Sequence, residues 1–445
     1  MRRHPGSCPE CVGAYKADIC VRPAPRRLRR ATTLTEQTML RSCQTRTRTM
    51  RGAWLLAGTL LLAACAHRPA TVTTEPCASP PADADWPVAT ATEAGFDAPA
   101  LCGVLTEVAR SEANIHSLLV ERGGKLVAEL YRRGPDSSME WMFGLRNPFD
   151  ADVAYDAGRL HDVRSVSKSI TALVVGIEVA KGRMPAPDTP VVTAAPELAQ
   201  LARDGHGAIT LEHLLTMSSG LDWQEWGHWP LTSDEIRLFW KRDTMRFVMD
   251  RALAATPGSS FRYSGGNTQL LGELLRRRTG KSVAELAQEE LFAPMGVRDW
   301  KWVEDTHGRP LAFAGLRLRP RDMLKFGRLV NQHGSWRGQQ LVPADWMERA
   351  THQRMPSGFS WFSVDGRDAG YGYQWWTGHL QWRGQDLEWA SAVGNGGQRV
   401  FVIPALDLSI VMTAGDYGEL GIHREEGRIL ASIASALKPQ PASKK

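Results

Sequence analysis

An α+β domain built on an antiparallel sheet is the fold class this sequence predicts, and three observations carry it. Strand-like runs come first, helix-periodic stretches fill the middle, and strands followed by a helix close the chain. The first two strand-like runs are joined by a glycine pair, the signal of a tight hairpin. Residues 93–438 contain no repeat, low-complexity run or second linker. A stretch of that length exceeds one simple core and suits a sheet flanked by helices, with an inserted helical lobe.

The segment before this domain reads as leader and tether. Residues 50–64, Met50-Arg51 followed by an apolar run ending Leu62-Ala63-Ala64, have the basic start, short apolar core and small residues of a secretory signal. The run is too short for a permanent membrane span. Residues 1–49 are rich in Arg, Thr and Pro without apolar periodicity, so an extension outside the fold is expected there. Residues 65–92, rich in Ala, Thr, Pro and Asp, are expected to be a flexible tether.

Within the domain, Ile115 to Tyr131 reads as two strands turning at Gly123-Gly124. From Ser165 to Lys181 the apolar residues Val166, Ile170, Leu173, Val174 and Ile177 predict a buried helix, with Gly182 as its stop. Residues 208–292 are expected to be mainly helical, over 210–216, 233–255 and 269–278. Val400-Phe-Val-Ile-Pro404 and Leu408 to Thr413 return to strand around a turn at Asp407, and a last helix is expected over 424–437.

Charge excludes one class of function. Of 54 Lys/Arg and 48 Asp/Glu, residues 1–64 hold 12 and 3, leaving 42 and 45. A slightly acidic body argues against nucleic acid as a partner. Of seven cysteines, only Cys65, Cys77 and Cys102 follow the leader. Cys77 and Cys102 are free to pair in an oxidising compartment, and sequence alone does not decide whether they meet. No His-Glu-x-x-His and no paired Cys-x-x-Cys set occurs beyond the leader, so neither metal nor cofactor is expected.

The chemistry concentrates in His161-Asp162-Val163-Arg164-Ser165-Val166-Ser167-Lys168. Residues i and i+3 share a helix face, so the Lys168 amine can sit beside the Ser165 hydroxyl. Unpaired N–H groups in a first helical turn favour the negative charge that develops during attack. The spacing alone is weak, since Ser435 and Lys438 repeat it in the C-terminal helix.

Context supplies the rest. Ser165-Val-Ser-Lys168, Leu214-Leu-Thr-Met-Ser-Ser-Gly-Leu-Asp-Trp223, Pro257-Gly-Ser-Ser-Phe-Arg-Tyr263-Ser-Gly, Tyr371-Gly-Tyr-Gln-Trp-Trp376 and Gly394-Asn-Gly-Gly-Gln398 follow one another in order. On these landmarks the chain resembles the serine β-lactamase and penicillin-binding-protein superfamily, class C-like, with its closest likeness to carboxylesterases and nylon-oligomer (6-aminohexanoate-dimer) hydrolases. The resemblance implies a β-lactamase/transpeptidase-like fold and a serine hydrolase that works through an acyl-enzyme. It implies Ser165 as nucleophile, with Lys168 and Tyr263 as proton-transfer groups, and leaves open which of the two accepts the proton. It places Asn395, Gly397 and Gln398 on a strand lining the site, with the Ser165 and Gln398 N–H groups as oxyanion hole. Asp222 becomes a contact for a substrate amine, and Trp223, Trp226 and Trp229 an aromatic wall. The ending Leu62-Ala63-Ala64-Cys65 resembles a lipobox, which implies lipidation of Cys65 and a periplasm-facing lipoprotein, held at the outer membrane.

Two departures from the family pattern narrow the substrate. Gly265 stands where the second motif usually carries asparagine, with Asn267 two residues on, and Asn395 stands where the third motif carries lysine or histidine. A neutral amide lacks the charge-assisted bond to a substrate carboxylate, which is roughly twice as strong as a neutral one. A small ester or amide is therefore the expected substrate. The alternatives are a β-lactamase or D-alanyl-D-alanine carboxypeptidase, and a non-catalytic envelope protein.

Overall fold

The computed structural model describes residues 71–137, 139, 151–226 and 232–439. The extension 1–49, the signal-like run 50–64, Cys65 and Trp229 lie outside these residues.

The strands, in chain order, are β1 (Thr71–Val72), β2 (Ile115–Arg122), β3 (Lys125–Asp136), β4 (Ala151–Ala154), β5 (His161–Asp162), β6 (Trp300–Trp302), β7 (Leu316–Leu318), β8 (Ser335–Trp336), β9 (Gln339–Gln340), β10 (Met355–Phe359), β11 (Ala369–Tyr371), β12 (Trp376–Trp382), β13 (Gln385–Gly394), β14 (Gln398–Ile403) and β15 (Leu408–Ala414). The main sheet runs β1-β3-β2-β15-β14-β13-β12-β11-β10, with β4 also on β3. Its ladders are antiparallel, and β15 lies against β2 with Ile410 opposite Val120. The first hairpin is thus closed by the last strand. Gly123 and Gly124 take φ of +59° and +79° at its turn, the left-handed pair that a tight hairpin demands.

The helices that matter here are α1 (Ala98–Arg110), α2 (Val166–Ala180), α3 (Leu211–Leu215), α4 (Asp234–Leu238), α5 (Gly265–Thr279), α6 (Pro320–Asn331) and α7 (Gly421–Ser435). Strand alternation sends Val400, Val402 and Val411 into the core shared with α2, α5 and α6. Phe401, Ile403, Ile410 and Met412 face the other core, under α1 and α7. Both sheet faces are therefore covered, and the helices between β5 and β6 form the inserted lobe.

Some expectations shift. The stretch 233–255 breaks into α4 and a second helix, Thr244–Met249. Helix α5 begins four residues earlier than expected, because Ser264 caps it by accepting from the Asn267 N–H at 3.2 Å. Residues 71–92 are not a flexible tether. Trp86 is 2 % exposed and donates from Nε1 to the Arg321 carbonyl. Asp85 pairs with Lys325 at 2.9 Å, and Asp83 with Arg321. Cys77 and Cys102 form a disulfide to α1. One large apolar anchor and two carboxylates fix a segment whose average composition reads as linker.

Candidate active site

Helix α2 starts where β5 ends, and the turn between them presents Ser165. Arg164, just before it, has φ of +50°, a left-handed backbone that costs a non-glycine residue energy and recurs at functional sites. The turn is held from behind. The Arg164 N–H donates to Asp162 Oδ1 at 3.1 Å, and its guanidinium lies 4.1 Å over the Tyr417 ring and donates to the Ser137 carbonyl. Ser165 is the N-cap of α2, yet its hydroxyl makes no capping bond. Its side chain is left for Lys168.

The structure brings the expected alcohol, amine and phenol together. Lys168 Nζ donates to Ser165 Oγ at 3.0 Å from a side chain 1 % exposed. The Ser165 side chain favours the ionised form of the Tyr263 phenol beside it. Lys168 Nζ also lies 4.8 Å from the centre of the Tyr263 ring. Burial raises the Tyr263 phenol above its usual range, and the Lys168 ammonium pulls the other way without cancelling the rise. Burial opposes the charge on Lys168, but Tyr263, Glu225 and Glu235 around it outweigh that and raise its pKa.

Two carboxylates that sequence reasoning missed complete this floor. Glu225 Oε1 accepts from Lys168 at 3.3 Å, and Glu235 Oε1 lies 3.9 Å from the same nitrogen. Glu225 Oε2 accepts from the Gly265 N–H at 2.6 Å and the Trp223 indole at 2.7 Å. Burial first, and then the Glu225 charge, push Glu235 up to about 8. The signal was available. A second motif lacking its asparagine leaves a buried lysine short of a partner, and Glu225 stands between two tryptophans already singled out.

The aromatic expectations divide. Trp226 is 52 % exposed and stacks on Tyr263 with ring centres 6.0 Å apart; Trp376 stacks on Tyr263 at 5.8 Å. Trp226 therefore presents a flat apolar face against Tyr263. Trp223 does not line the site: it is 2 % exposed, packed under α5, and works through its bond to Glu225. Asp222 is spent on Arg262, 3.1 Å away at the surface. Asn267, the residue nearest the missing asparagine, accepts from Ser219 instead of reaching Lys168.

The third-motif expectation needs correction. β13 ends at Gly394, and residues 395–397 are the turn to β14, with Gly396 and Gly397 at φ of +89° and +95°. Gly397 faces Ala414 and Ile422. Gln398 is fully buried one strand further on and donates from Nε2 to the Ala414 carbonyl at 2.6 Å. Asn395 Oδ1 accepts from the Gly418 N–H at 2.8 Å. The residue that touches the nucleophile's turn is Gly394, where a Cβ would fall 2.4 Å from the Val163 carbonyl. Pairing of β13 with β12 stops at Ser391, while pairing with β14 runs on to Gly394. Among the described residues, the β12 side of residues 392–395 thus has no strand partner, and it lies against the turn that leads into Ser165.

One group has the spacing of metal ligands, where the sequence led us to expect none. The ligand atoms of buried His116, Asp136 and His161 lie within 4.8 Å of one another. Their atoms are already engaged. His116 Nδ1 and His161 Nε2 are 2.8 Å apart, His116 Nε2 faces the Pro135 carbonyl, His161 Nδ1 faces the Asp162 carbonyl, and Asp136 accepts from Tyr417. This cluster props the nucleophile's turn from behind.

Comparison with known proteins agrees with this geometry. The Beta-lactamase family profile matches residues 116–434. A 6-aminohexanoate-dimer hydrolase from Paenarthrobacter ureafaciens is 26 % identical over 341 residues, covering 72 % of this chain and 78 % of that protein. Esterase EstB from Burkholderia gladioli is 33 % identical over 158 residues, 32 % of this chain and 38 % of the esterase. A penicillin-binding protein homologue from Caulobacter crescentus shares the fold at 18 % identity, with a TM-score of 0.58 over 76 % of this chain and 97 % of that one. The chain belongs to the beta-lactamase family and is a serine hydrolase of the beta-lactamase and esterase type.

Proposed function

We propose that the protein cleaves a small ester or amide through an acyl-enzyme on Ser165. The observation that carries this is Lys168 Nζ at 3.0 Å from Ser165 Oγ, with the Tyr263 ring centre 4.8 Å from the same nitrogen. A serine hydroxyl needs such neighbours to lose its proton as it attacks. The oxyanion that follows is stabilised by backbone donors, the Ser165 N–H and an N–H on the open edge of β13 at residues 392–395. One such donor is typically worth about 3–4 kcal/mol. Water then releases the acid.

An ester or amide is favoured over a β-lactam by what became of the third motif. The Asn395 amide is held by Gly418 and brings no cation to a substrate carboxylate. The similarity to an aminohexanoate-dimer hydrolase and an esterase supports the same substrate class. Trp226 and Trp376, flanking Tyr263, suit an apolar acyl or leaving group. Hydrolysis of p-nitrophenyl butyrate is compared with that of nitrocefin. Ester turnover above lactam turnover is expected, and strong lactam turnover without esterase activity reverses the assignment. A fluorophosphonate probe that leaves Ser165 unlabelled returns the chain to a binding role.

We also propose that the enzyme works as a periplasm-facing lipoprotein. The signal-like run at 50–64 ending in Leu62-Ala63-Ala64-Cys65 supports this, as does the disulfide between Cys77 and Cys102, a bond that persists in oxidising compartments. Metabolic labelling with a palmitate analogue, lost in Cys65→Ser, is the expected result.

A further inference from the structure

We propose that Glu225 is a positioning residue of this site: it takes the place of the asparagine absent at Gly265, holds Lys168 as an ammonium beside Ser165, and leaves the proton exchange to Tyr263. The inference rests on the serine-hydrolase reading above.

The geometry around Lys168 is the starting point. Its nitrogen meets Ser165 Oγ at 3.0 Å, the Phe313 carbonyl at 3.2 Å and Glu225 Oε1 at 3.3 Å. Three acceptors suit the three donors of an ammonium. They also suit a neutral amine that donates twice and accepts the Ser165 proton. Hydrogen-bond geometry does not choose between the two; the charge of the neighbours does. The Glu225 carboxylate in contact favours the ammonium at a nitrogen sealed from water, and Glu235, 3.9 Å away and pushed up to about 8, adds its own charge only above that pH. An ammonium has no lone pair with which to take a proton from Ser165.

The space around Glu225 shows that it and a side chain at Gly265 compete for the same volume. A Cβ on Gly265 would lie 3.2 Å from Glu225 Oε2 and 3.3 Å from both Glu235 and Phe313. A Cβ on Gly266 would lie 2.7 Å from the Trp223 ring, whose indole N–H fixes Glu225. The two glycines that open α5, unfavourable helix formers, clear the volume that Glu225 and its supporting tryptophan fill. The Glu225 backbone is held separately, where Ser233 Oγ donates to its main-chain carbonyl at 3.0 Å.

The proton path follows. As the bond from Ser165 Oγ to the substrate carbonyl carbon forms, Tyr263 Oη gives its own phenolic proton to the leaving oxygen or nitrogen and takes the serine proton in the same step, so that the phenol never carries two protons. The bond to the leaving group then breaks with that proton already in place. The phenol ends as it began, which suits a tyrosine whose ionisation burial resists. Lys168 keeps its three protons throughout.

The test follows Ser165 labelling by a fluorophosphonate and p-nitrophenyl acetate hydrolysis from pH 5 to 10. The chains compared are the wild type, Glu225→Gln, Glu225→Ala, Gly265→Asn and the pair Glu225→Ala with Gly265→Asn. We expect Glu225→Gln to lose about a hundredfold at pH 7, the scale of a misplaced catalytic group. It should also gain an ionisation that the wild type lacks, since a buried lysine without its counter-charge gives up its proton at lower pH. Glu225→Ala should fall further, and adding Gly265→Asn should recover roughly tenfold, although Gly265→Asn alone is harmful. Glu225→Gln within threefold of wild type and with an unchanged pH profile overturns the inference. A folded double variant no better than Glu225→Ala does so too. If no Glu225 variant melts cooperatively, Glu225 is a structural residue and the inference is also lost. A wild-type chain unlabelled at Ser165 brings down the serine-hydrolase reading itself, whereas labelled wild type with equally fast variants removes Glu225 alone.

Discussion

The two motifs that depart from the family pattern meet opposite fates. At the second, Gly265 removes a side chain, and the volume is refilled by Glu225, a stronger partner for Lys168 than a neutral amide. At the third, Asn395 removes a cation, and its own amide turns away to Gly418. The first change lies in a packed interior, where a void or an unpaired buried charge is costly and a compensating residue is needed. The second lies at an exposed turn, where water replaces the lost group. On the reading proposed above, a motif substitution in the interior keeps function by exchange, while one at the rim shifts specificity.

The comparison can be broken most decisively at Ser165, the nucleophile of the reading proposed above. Ser165→Ala should lower ester turnover by about 10⁴-fold or more, the scale seen when a serine nucleophile is removed. Steady-state hydrolysis of p-nitrophenyl butyrate measures it, and a loss below tenfold means that neither motif surrounds the catalytic centre. Next in size is the packing of the second motif. Gly266→Ala drives a methyl group to 2.7 Å from the Trp223 ring and should destabilise the fold by about 1–3 kcal/mol, read by urea denaturation. Asn395→Ala, at the exposed turn, should stay near 0.5 kcal/mol.

Restoring the third-motif cation sharpens the contrast. Asn395→Lys should fold normally and raise acylation by a carboxylate-bearing β-lactam roughly tenfold relative to the ester, about the worth of one charge-assisted bond. Labelling by a fluorescent penicillin against p-nitrophenyl butyrate turnover gives the ratio, and no change means the turn does not face the substrate.

The smallest effect is a pH signature of the second-motif floor. The Glu235 carboxyl, raised from its ordinary value to about 8, binds its proton more tightly in the folded protein than in the unfolded chain. Below about pH 4.5 it is protonated in both states and costs nothing. From there to about pH 8 the folded state is progressively destabilised as the proton is drawn off. Glu235→Gln should therefore raise Tm at pH 8 more than at pH 4.5, in thermal melts at matched ionic strength. An equal shift at both pH values places Glu235 outside this electrostatic cluster. In wild type the same ionisation should lower kcat/KM above pH 8, because new negative charge then lies 3.9 Å from Lys168 Nζ in the floor of the site, and Glu235→Gln should abolish that limb.

Much of this molecule was legible in its sequence where neighbours along the chain decide the outcome. The glycine pair at 123–124 fixed a hairpin because only a left-handed turn closes it. Apolar periodicity after Ser165 fixed α2, and a three-residue step on that helix put the lysine beside the serine. The ordered landmarks carried the resemblance and, with it, Tyr263. Local readings failed where one residue outweighed its surroundings, as Trp86 did in a stretch that otherwise reads as linker.

Backbone periodicity, turn chemistry and motif order act over a few residues, so the sequence by itself determined the elements, and the placing of Ser165 at a helix start with Lys168 one turn away. Only the tertiary structure decided what surrounds them. Glu225 reaches Lys168 across 57 residues, Trp376 stacks on Tyr263 from a distant strand, and Gly394 rather than Gln398 meets the nucleophile's turn. Each of these depends on excluded volume and on the pairing of buried charge, and both are properties of the packed molecule rather than of any stretch of chain.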